Sequence, residues 1–133
     1  MGKPKIIKEM KNPKKKLRAK ADKIWYNIII QRNPICESCG EEKSTQAHHY
    51  YYKGSFGHLR YDLDNGIGLG LKCHFLLHHH DPKLIEAKII AKRGQKWFKK
   101  LTVKAQKRPS GAYLTLNYYQ DTLKKLKNYG NTS

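Results

Sequence analysis

All three cysteines and all seven histidines of this 133-residue chain lie between residues 35 and 80. The first two cysteines form the motif Cys36-x-x-Cys39, followed by Gly40, as in a zinc knuckle where two thiolates and a tight turn hold one ion. A chain this short buries only a small core and gains from a metal or a partner. The segment therefore predicts a metal-stabilised centre, with buried free thiols or a redox pair as the alternative.

The chain carries a formal net charge of +18, from 28 Lys and Arg against 10 Asp and Glu. Such a charge repels itself in a compact fold unless a polyanion neutralises it, so nucleic acid is the leading predicted partner. A merely soluble basic protein, or one that visits anionic membranes, is the alternative. No apolar run approaches the ~20 residues that span a bilayer, and residues 1–16 lack the apolar region of a secretory signal. Three cysteines also suit a reducing compartment, so we expect a cytoplasmic protein that is not embedded in a membrane.

Helix and turn signals divide the chain into four segments. They are a basic, flexible arm (1–16), an amphipathic helix (17–34), a central segment that carries the chemistry (35–82) and a basic helical region (83–133). Asn33-Pro34 ends the first helix, Asp81-Pro82 caps and starts a new one, and Gly94 breaks the helical region. Short β-prone runs occur in the central segment and helical patterns on either side of it, so the sequence predicts an α+β fold.

Four histidines of the central segment have spacings that predict their relative directions. His48 and His49 are adjacent in a run typical of a strand, where neighbouring side chains point to opposite faces. His74 and His78 are four residues apart, so on a helix they share a face and can bind one ion. The histidine-rich run at residues 73–80 lies inside the chain, whereas purification tags lie at chain ends, so it is not expected to be a tag.

The order C-x-x-C, His-His, Arg-Tyr-Asp, Asn-Gly and Cys-His-x-x-x-His resembles the HNH nuclease family, and the runs "LRYDLDNG" and "CHFLLHHHDP" resemble its small phage-encoded members. The resemblance covers residues 36–82. It implies a ββα-metal, treble-clef-like core with flanking basic helices. In such a core a two-stranded hairpin bears the first histidines and the asparagine, and the following helix presents the last histidines.

The resemblance also implies a catalytic metal site. His48, His74 and His78 would bind one divalent ion, for which Mg²⁺, Mn²⁺, Ni²⁺ and Zn²⁺ are the candidates. Phosphodiester hydrolysis needs a cation opposite the charge that develops on the phosphoryl oxygens, which is the role such an ion would have.

Three further residues take catalytic roles in the resemblance. His49 would be the general base, Asn65 would brace the hairpin and orient that base, and Arg60 would reach the scissile phosphate. An imidazole with an ordinary pKa near 6.5 can accept a proton at neutral pH, whereas a carboxylate or lysine would need a large shift.

The sequence departs from the family pattern at one cysteine. Members with a structural zinc have a second C-x-x-C, which here would need cysteines at positions 70 and 73, but position 70 is Gly70. Cys36, Cys39 and Cys73 leave a three-thiolate set, whereas structural zinc sites are almost always closed by four ligands. Water or a nearby histidine could be the fourth ligand, packing could replace the zinc, or Gly70 could damage the protein. We therefore expect the structural zinc to be weakly bound or absent.

Basic side chains near the motif are predicted to contact DNA phosphates, which would make affinity fall steeply with salt. They are Lys14, Lys15, Lys16, Arg18, Lys53 and His58. His79 and His80 match no family role and are expected to be solvated or to face phosphate. The two tryptophans, Trp25 and Trp97, lie on apolar helix faces and are expected in the core.

The sequence thus predicts a metal-dependent endonuclease that acts on DNA. A monomer with one site would nick, whereas a homodimer with two opposed sites could cut both strands. One alternative is a nucleic-acid-binding module on an HNH-like frame without activity. Another is a structure-specific nuclease for branched DNA. Phage packaging or recombination proteins are the partners that family analogy suggests.

Overall fold

The computed structural model of the chain describes residues 12–132, apart from the side chains of residues 131 and 132. The described chain forms two compact units, one made of residues 12–25 with residues 110–132, and the other of Tyr26–Pro109. The elements are helix α1 (Pro13–Arg32), strands β1 (Gln46–His49) and β2 (Gly66–Leu69), and helices α2 (Leu71–His79), α3 (Pro82–Arg93), α4 (Gln95–Gln106) and α5 (Leu116–Thr132). The predicted α+β class is confirmed.

Helix α1 begins earlier than predicted. Its first residue is Pro13, so residues 13–16 of the predicted arm are helical, and the rest of that arm lies almost entirely outside the described residues. Proline suits the first helical turn because its fixed φ is already helical and its missing N–H would have no partner there. At the other end, Asn33 donates from Nδ2 to the carbonyl of Ile29 at 3.0 Å, and Pro34 cannot continue the helix.

The unit of residues 12–25 and 110–132 consists of the first part of α1, helix α5 and the irregular segment 110–115 before α5. Its buried side chains come from the first half of α1 and from α5, at the spacings that the helical pattern predicts. They are Ala21, Trp25, Tyr119, Leu123 and Leu126. Trp25, with 2% of its surface exposed, is thus confirmed as a core residue.

The unit Tyr26–Pro109 is built around a two-stranded antiparallel sheet. In its register His48 lies opposite Ile67 and His49 opposite Gly66. Helix α2 follows β2 after Gly70, and α2 packs on α3, which packs on α4. One core cluster joins the cysteine knuckle, β2, α2 and α3: Cys36, Ile67, Leu69, Cys73, Leu77, Ile85 and Ile89.

The predicted breaks between the later helices are confirmed. The Asp81 carboxylate accepts from the backbone N–H of Leu84 at 3.2 Å, with Pro82 in the first turn of α3. Gly94 separates α3 from α4 at φ +100°, a conformation that side-chain-bearing residues rarely adopt. Among residues 12–132, no helix combines the length and the apolar character that crossing a bilayer requires.

Candidate metal centres and active site

Three histidines from two elements converge at one point. His48 comes from β1, while His74 and His78 come from α2. The ring of His48 lies 5.8 Å from that of His74 and 5.5 Å from that of His78, centre to centre. One nitrogen from each ring lies within 4.8 Å of the others. The predicted sharing of a helix face by His74 and His78 is confirmed, since their rings are 4.5 Å apart.

The spacing and charge of these imidazoles suit a divalent metal. The Nε2 atoms of His74 and His78 are 3.1 Å apart, close to the ~3.3 Å between two nitrogens at adjacent corners of a zinc tetrahedron. Burial, and then the neighbouring histidines, lower the pKa of His48 to about 3. Burial, and then His78, lower the pKa of His74 as well. Both rings are therefore neutral at pH 7, which is the form that binds metals.

His49 makes a separate contact on the loop side. Its Nε2 lies 2.9 Å from the backbone carbonyl of Arg60. Because a carbonyl only accepts hydrogen bonds, Nε2 is the donor, and Nδ1 carries the lone pair of the neutral ring. The adjacent histidines thus contact different parts of the unit, as the strand pattern predicts.

Asn65 braces the loop that joins β1 to β2. Its side chain is fully buried; Oδ1 accepts from the N–H of Tyr51 at 2.8 Å, and Nδ2 donates to the carbonyls of Tyr51 at 3.1 Å and Leu59 at 3.2 Å. One contact follows His49 by two residues and the other precedes Arg60 by one. These contacts hold the loop together, and the predicted role of Asn65 in bracing the hairpin and orienting the base stays a prediction.

Arg60 contributes to this arrangement through its backbone. It follows a short 3₁₀ turn, Gly57–Leu59, and its carbonyl is the partner of His49. Its half-buried side chain places the guanidinium carbon 5.8 Å from the centre of the Tyr61 ring. Contact of Arg60 with a scissile phosphate stays a prediction.

A second group of potential metal ligands includes a residue that the sequence pattern did not reveal. Cys36, Cys39 and Cys73 are gathered with Glu42, and one ligand atom from each lies within 4.8 Å of the others. The residue beside the thiols is therefore a carboxylate and not a histidine. Its signal was its position, because Glu42 follows Cys39 by three residues, within reach of a knuckle.

A buried ion pair links this cysteine knuckle to the sheet and to α3. Arg93 donates from Nε and from one terminal nitrogen to the two carboxylate oxygens of Glu37, at 2.7 and 2.9 Å. Glu37 also accepts from the N–H of Gly68 at 2.7 Å, and Arg93 donates to the carbonyl of Gly66 at 2.6 Å. The sequence contains no periodic or motif signal for this pair.

The residues predicted to contact DNA differ in exposure. Lys14, Lys15, Lys16 and Lys53 are exposed, and Arg18 is half-buried. The ring of His58 instead packs inside its unit, with Nε2 3.0 Å from the carbonyl of Lys104. His79 and His80 are exposed.

Helices α3 and α4 carry exposed lysines in the unit that holds both candidate metal centres: Lys83, Lys88, Lys92, Lys96, Lys99 and Lys100. Trp97, which is half-buried, packs on the core and donates from its indole nitrogen to the carbonyl of Asp64 at 2.9 Å. The core position predicted for Trp97 is thus met in part.

Comparisons of the chain with protein-family models, with curated proteins and with solved structures gave no match.

Proposed function

We propose that the chain is a metal-dependent HNH endonuclease that hydrolyses DNA phosphodiester bonds on a ββα-metal core. The observation that carries this proposal is that two adjacent histidines make different contacts. His48 joins His74 and His78 in a three-imidazole group, whereas His49 is held by the Arg60 carbonyl. A metal-binding group and a fixed base next to each other are what phosphodiester hydrolysis requires.

The donor set fits a divalent cation that keeps a coordination position for substrate. Three protein ligands are typical of catalytic zinc sites, whereas structural sites are closed by four. A cation bound by His48, His74 and His78 would supply positive charge opposite the phosphoryl oxygens and the leaving 3′ oxygen. His78 is exposed, so the site is accessible from solvent.

His49 acts as the general base in this proposal. Its neutral ring accepts the proton of the attacking water at Nδ1, as the water oxygen bonds to phosphorus and the bond to the 3′ oxygen breaks. The departing 3′ oxygen takes a proton from solvent. The Nε2–H group stays hydrogen-bonded to the carbonyl of Arg60, which orients the ring and stabilises its charged form.

Asn65 is a positioning residue for this base. Its buried amide fixes Tyr51 and Leu59, which flank the chain segments that carry His49 and the Arg60 carbonyl. Preorganisation of this kind keeps the base in place without reorganisation during the reaction.

The exposed lysines of α3 and α4 support a polyanionic substrate. They belong to the same unit as the three-imidazole group. Lysines that contact phosphates position the nucleic acid without reading its sequence, and they make affinity salt-dependent.

A supercoiled-plasmid assay tests the proposal. Wild type, His49→Ala and the matched control His80→Ala, which changes an exposed histidine outside the site, are each incubated with Mg²⁺, Mn²⁺, Ni²⁺, Zn²⁺ or EDTA. We expect metal-dependent conversion to open-circle or linear DNA by wild type and His80→Ala, and its loss in His49→Ala with DNA binding retained.

Two other results would replace or narrow the proposed function. No cleavage with any metal by a folded protein that binds DNA in a salt-sensitive manner would replace the enzyme with a binding module. Cleavage of a four-way junction without cleavage of plasmid or linear duplex would narrow the activity to branched DNA.

A further inference from the structure

The geometry points to a structural zinc site in which Glu42 supplies the fourth ligand beside Cys36, Cys39 and Cys73. The four residues gather their ligand atoms within 4.8 Å of one another. This site is separate from the three-imidazole group, and zinc binding there requires no nuclease activity.

One carboxylate oxygen of Glu42, Oε2, is buried without a hydrogen-bond donor within the described residues. A carboxylate oxygen removed from water is unfavourable unless a hydrogen-bond donor or a cation compensates it. A metal ion held by the three neighbouring thiolates would be that cation.

Gly70 makes room for this carboxylate. A Cβ at position 70 would lie 2.4 Å from Oε2 and 2.6 Å from Cβ of Glu42, closer than real Cβ atoms approach other atoms. Glu42 therefore occupies the space that a side chain at position 70 would need. The absence of a cysteine at position 70 thus goes together with the carboxylate at position 42. The fourth ligand comes from the knuckle and not from the start of α2.

The knuckle is shaped to hold a thiolate. The backbone N–H groups of Glu41 and Glu42 point to Sγ of Cys39, at 3.4 and 3.5 Å, and Gly40 turns the chain at φ +71°. Hydrogen bonds of this kind favour the thiolate over the thiol. The three cysteines are present as thiols and not as a disulfide.

The ligand chemistry favours zinc. Thiolates select soft or borderline ions, and a carboxylate is a ligand that zinc accepts readily, at about 2.0–2.2 Å, in a tetrahedral site. Binding replaces the thiol protons by the ion, and those protons pass to solvent, so no oxidant or reductant is required.

Zinc titration of the full chain tests the site. All proteins carry His48→Ala and His74→Ala, so that the three-imidazole group cannot bind the ion. The compared proteins are this background, Glu42→Gln, Glu42→Ala, and Glu42→Gly with Gly70→Cys. Glu41→Ala, which changes an exposed neighbour outside the cluster, is the matched control. Zinc affinity is measured by competition with a chromophoric chelator, and Co²⁺ is used as a spectroscopic probe of thiolate ligation.

We expect one zinc per chain in the background and in Glu41→Ala, and at least a tenfold loss of affinity in Glu42→Gln and Glu42→Ala. Glu42→Gly removes the Cβ that would lie 2.6 Å from a Cβ at position 70, so Gly70→Cys can enter the vacated space. This pair is expected to regain tight binding, with the cobalt spectrum of four thiolates. Equal zinc affinity in Glu41→Ala and Glu42→Gln would overturn the role of Glu42. Failure of a folded background protein to bind zinc would overturn the site, and failure of the paired variant to bind would refute the shared coordination position.

Discussion

Arg93 and Glu37 form a two-pronged buried ion pair, with N–O distances of 2.7 and 2.9 Å and only 15% and 6% of their side-chain surfaces exposed. The pair joins the second position of the C-x-x-C motif to the end of α3. Through Gly66 and Gly68 it also holds β2, the strand that leads into the helix of His74 and His78.

Arg93→Met is therefore expected to destabilise the protein strongly. It leaves the carboxylate of Glu37 buried without its cation, which typically costs about 3–5 kcal/mol. Urea unfolding measures this loss against Lys92→Met, an exposed neighbour expected to change the free energy of unfolding by less than ~0.5 kcal/mol. Adding Glu37→Gln to Arg93→Met removes the unpaired charge and should recover part of the loss. Similar stabilities for Arg93→Met and Lys92→Met would contradict this role.

The depressed pKa of His48 predicts acid sensitivity of the metal-free protein. Its pKa is about 3 in the fold and 6.5 without the fold's influence. Below pH 6.5 the unfolded chain takes up a proton that the folded chain excludes, so this contribution to stability is complete above that pH and is lost as the pH falls toward 3. The slope approaches ~1.4 kcal/mol per pH unit for one proton.

Thermal or urea unfolding in EDTA between pH 7 and pH 4 checks this prediction. His48→Gln should show a shallower pH dependence than wild type, whereas His79→Gln, at an exposed histidine, should retain the wild-type slope. Identical slopes in wild type and His48→Gln would show that His48 titrates normally.

Asn65→Ala tests the bracing of the proposed base. The change removes three hydrogen bonds and leaves backbone groups of Tyr51 and Leu59 without their partner, for a loss of about 2–4 kcal/mol in the free energy of unfolding. At a temperature where the variant is folded, we expect its plasmid-nicking rate to fall at least tenfold with its affinity for duplex DNA unchanged. Asn117→Ala, at an exposed asparagine in the other unit, is the control. An unchanged nicking rate would limit Asn65 to a structural role.

The lysines of α4 are expected to contribute to phosphate binding. Lys99→Ala with Lys100→Ala should weaken binding to a short duplex and reduce the slope of log affinity against log salt by about 0.9 for each phosphate that the variant no longer neutralises. Fluorescence anisotropy at several salt concentrations measures both quantities. A parallel, unshifted salt dependence in the double variant would exclude these two lysines from the interface.

Local features of the sequence determined much of the framework. The cap at Asp81-Pro82, the break at Gly94 and the shared helix face of His74 and His78 depend on hydrogen bonds and periodicities within a few residues. Such features can be predicted from a single sequence because each depends only on residues that are neighbours along the chain. The separation of His48 from His49 follows in the same way from the alternation of a strand.

Contacts between distant segments were decided only by the tertiary structure. Three such contacts are that of His48 with His74, that of Glu37 with Arg93 and that of His58 with the Lys104 carbonyl. The two residues of each contact are separated by between 26 and 56 positions in the sequence. Glu42 is close to Cys39 in sequence, yet its place beside Cys73 depends on the absence of a side chain at Gly70. The physical reason is that the sequence encodes each residue's local preferences, whereas the partner of a buried charge or ligand depends on how the helices and strands pack.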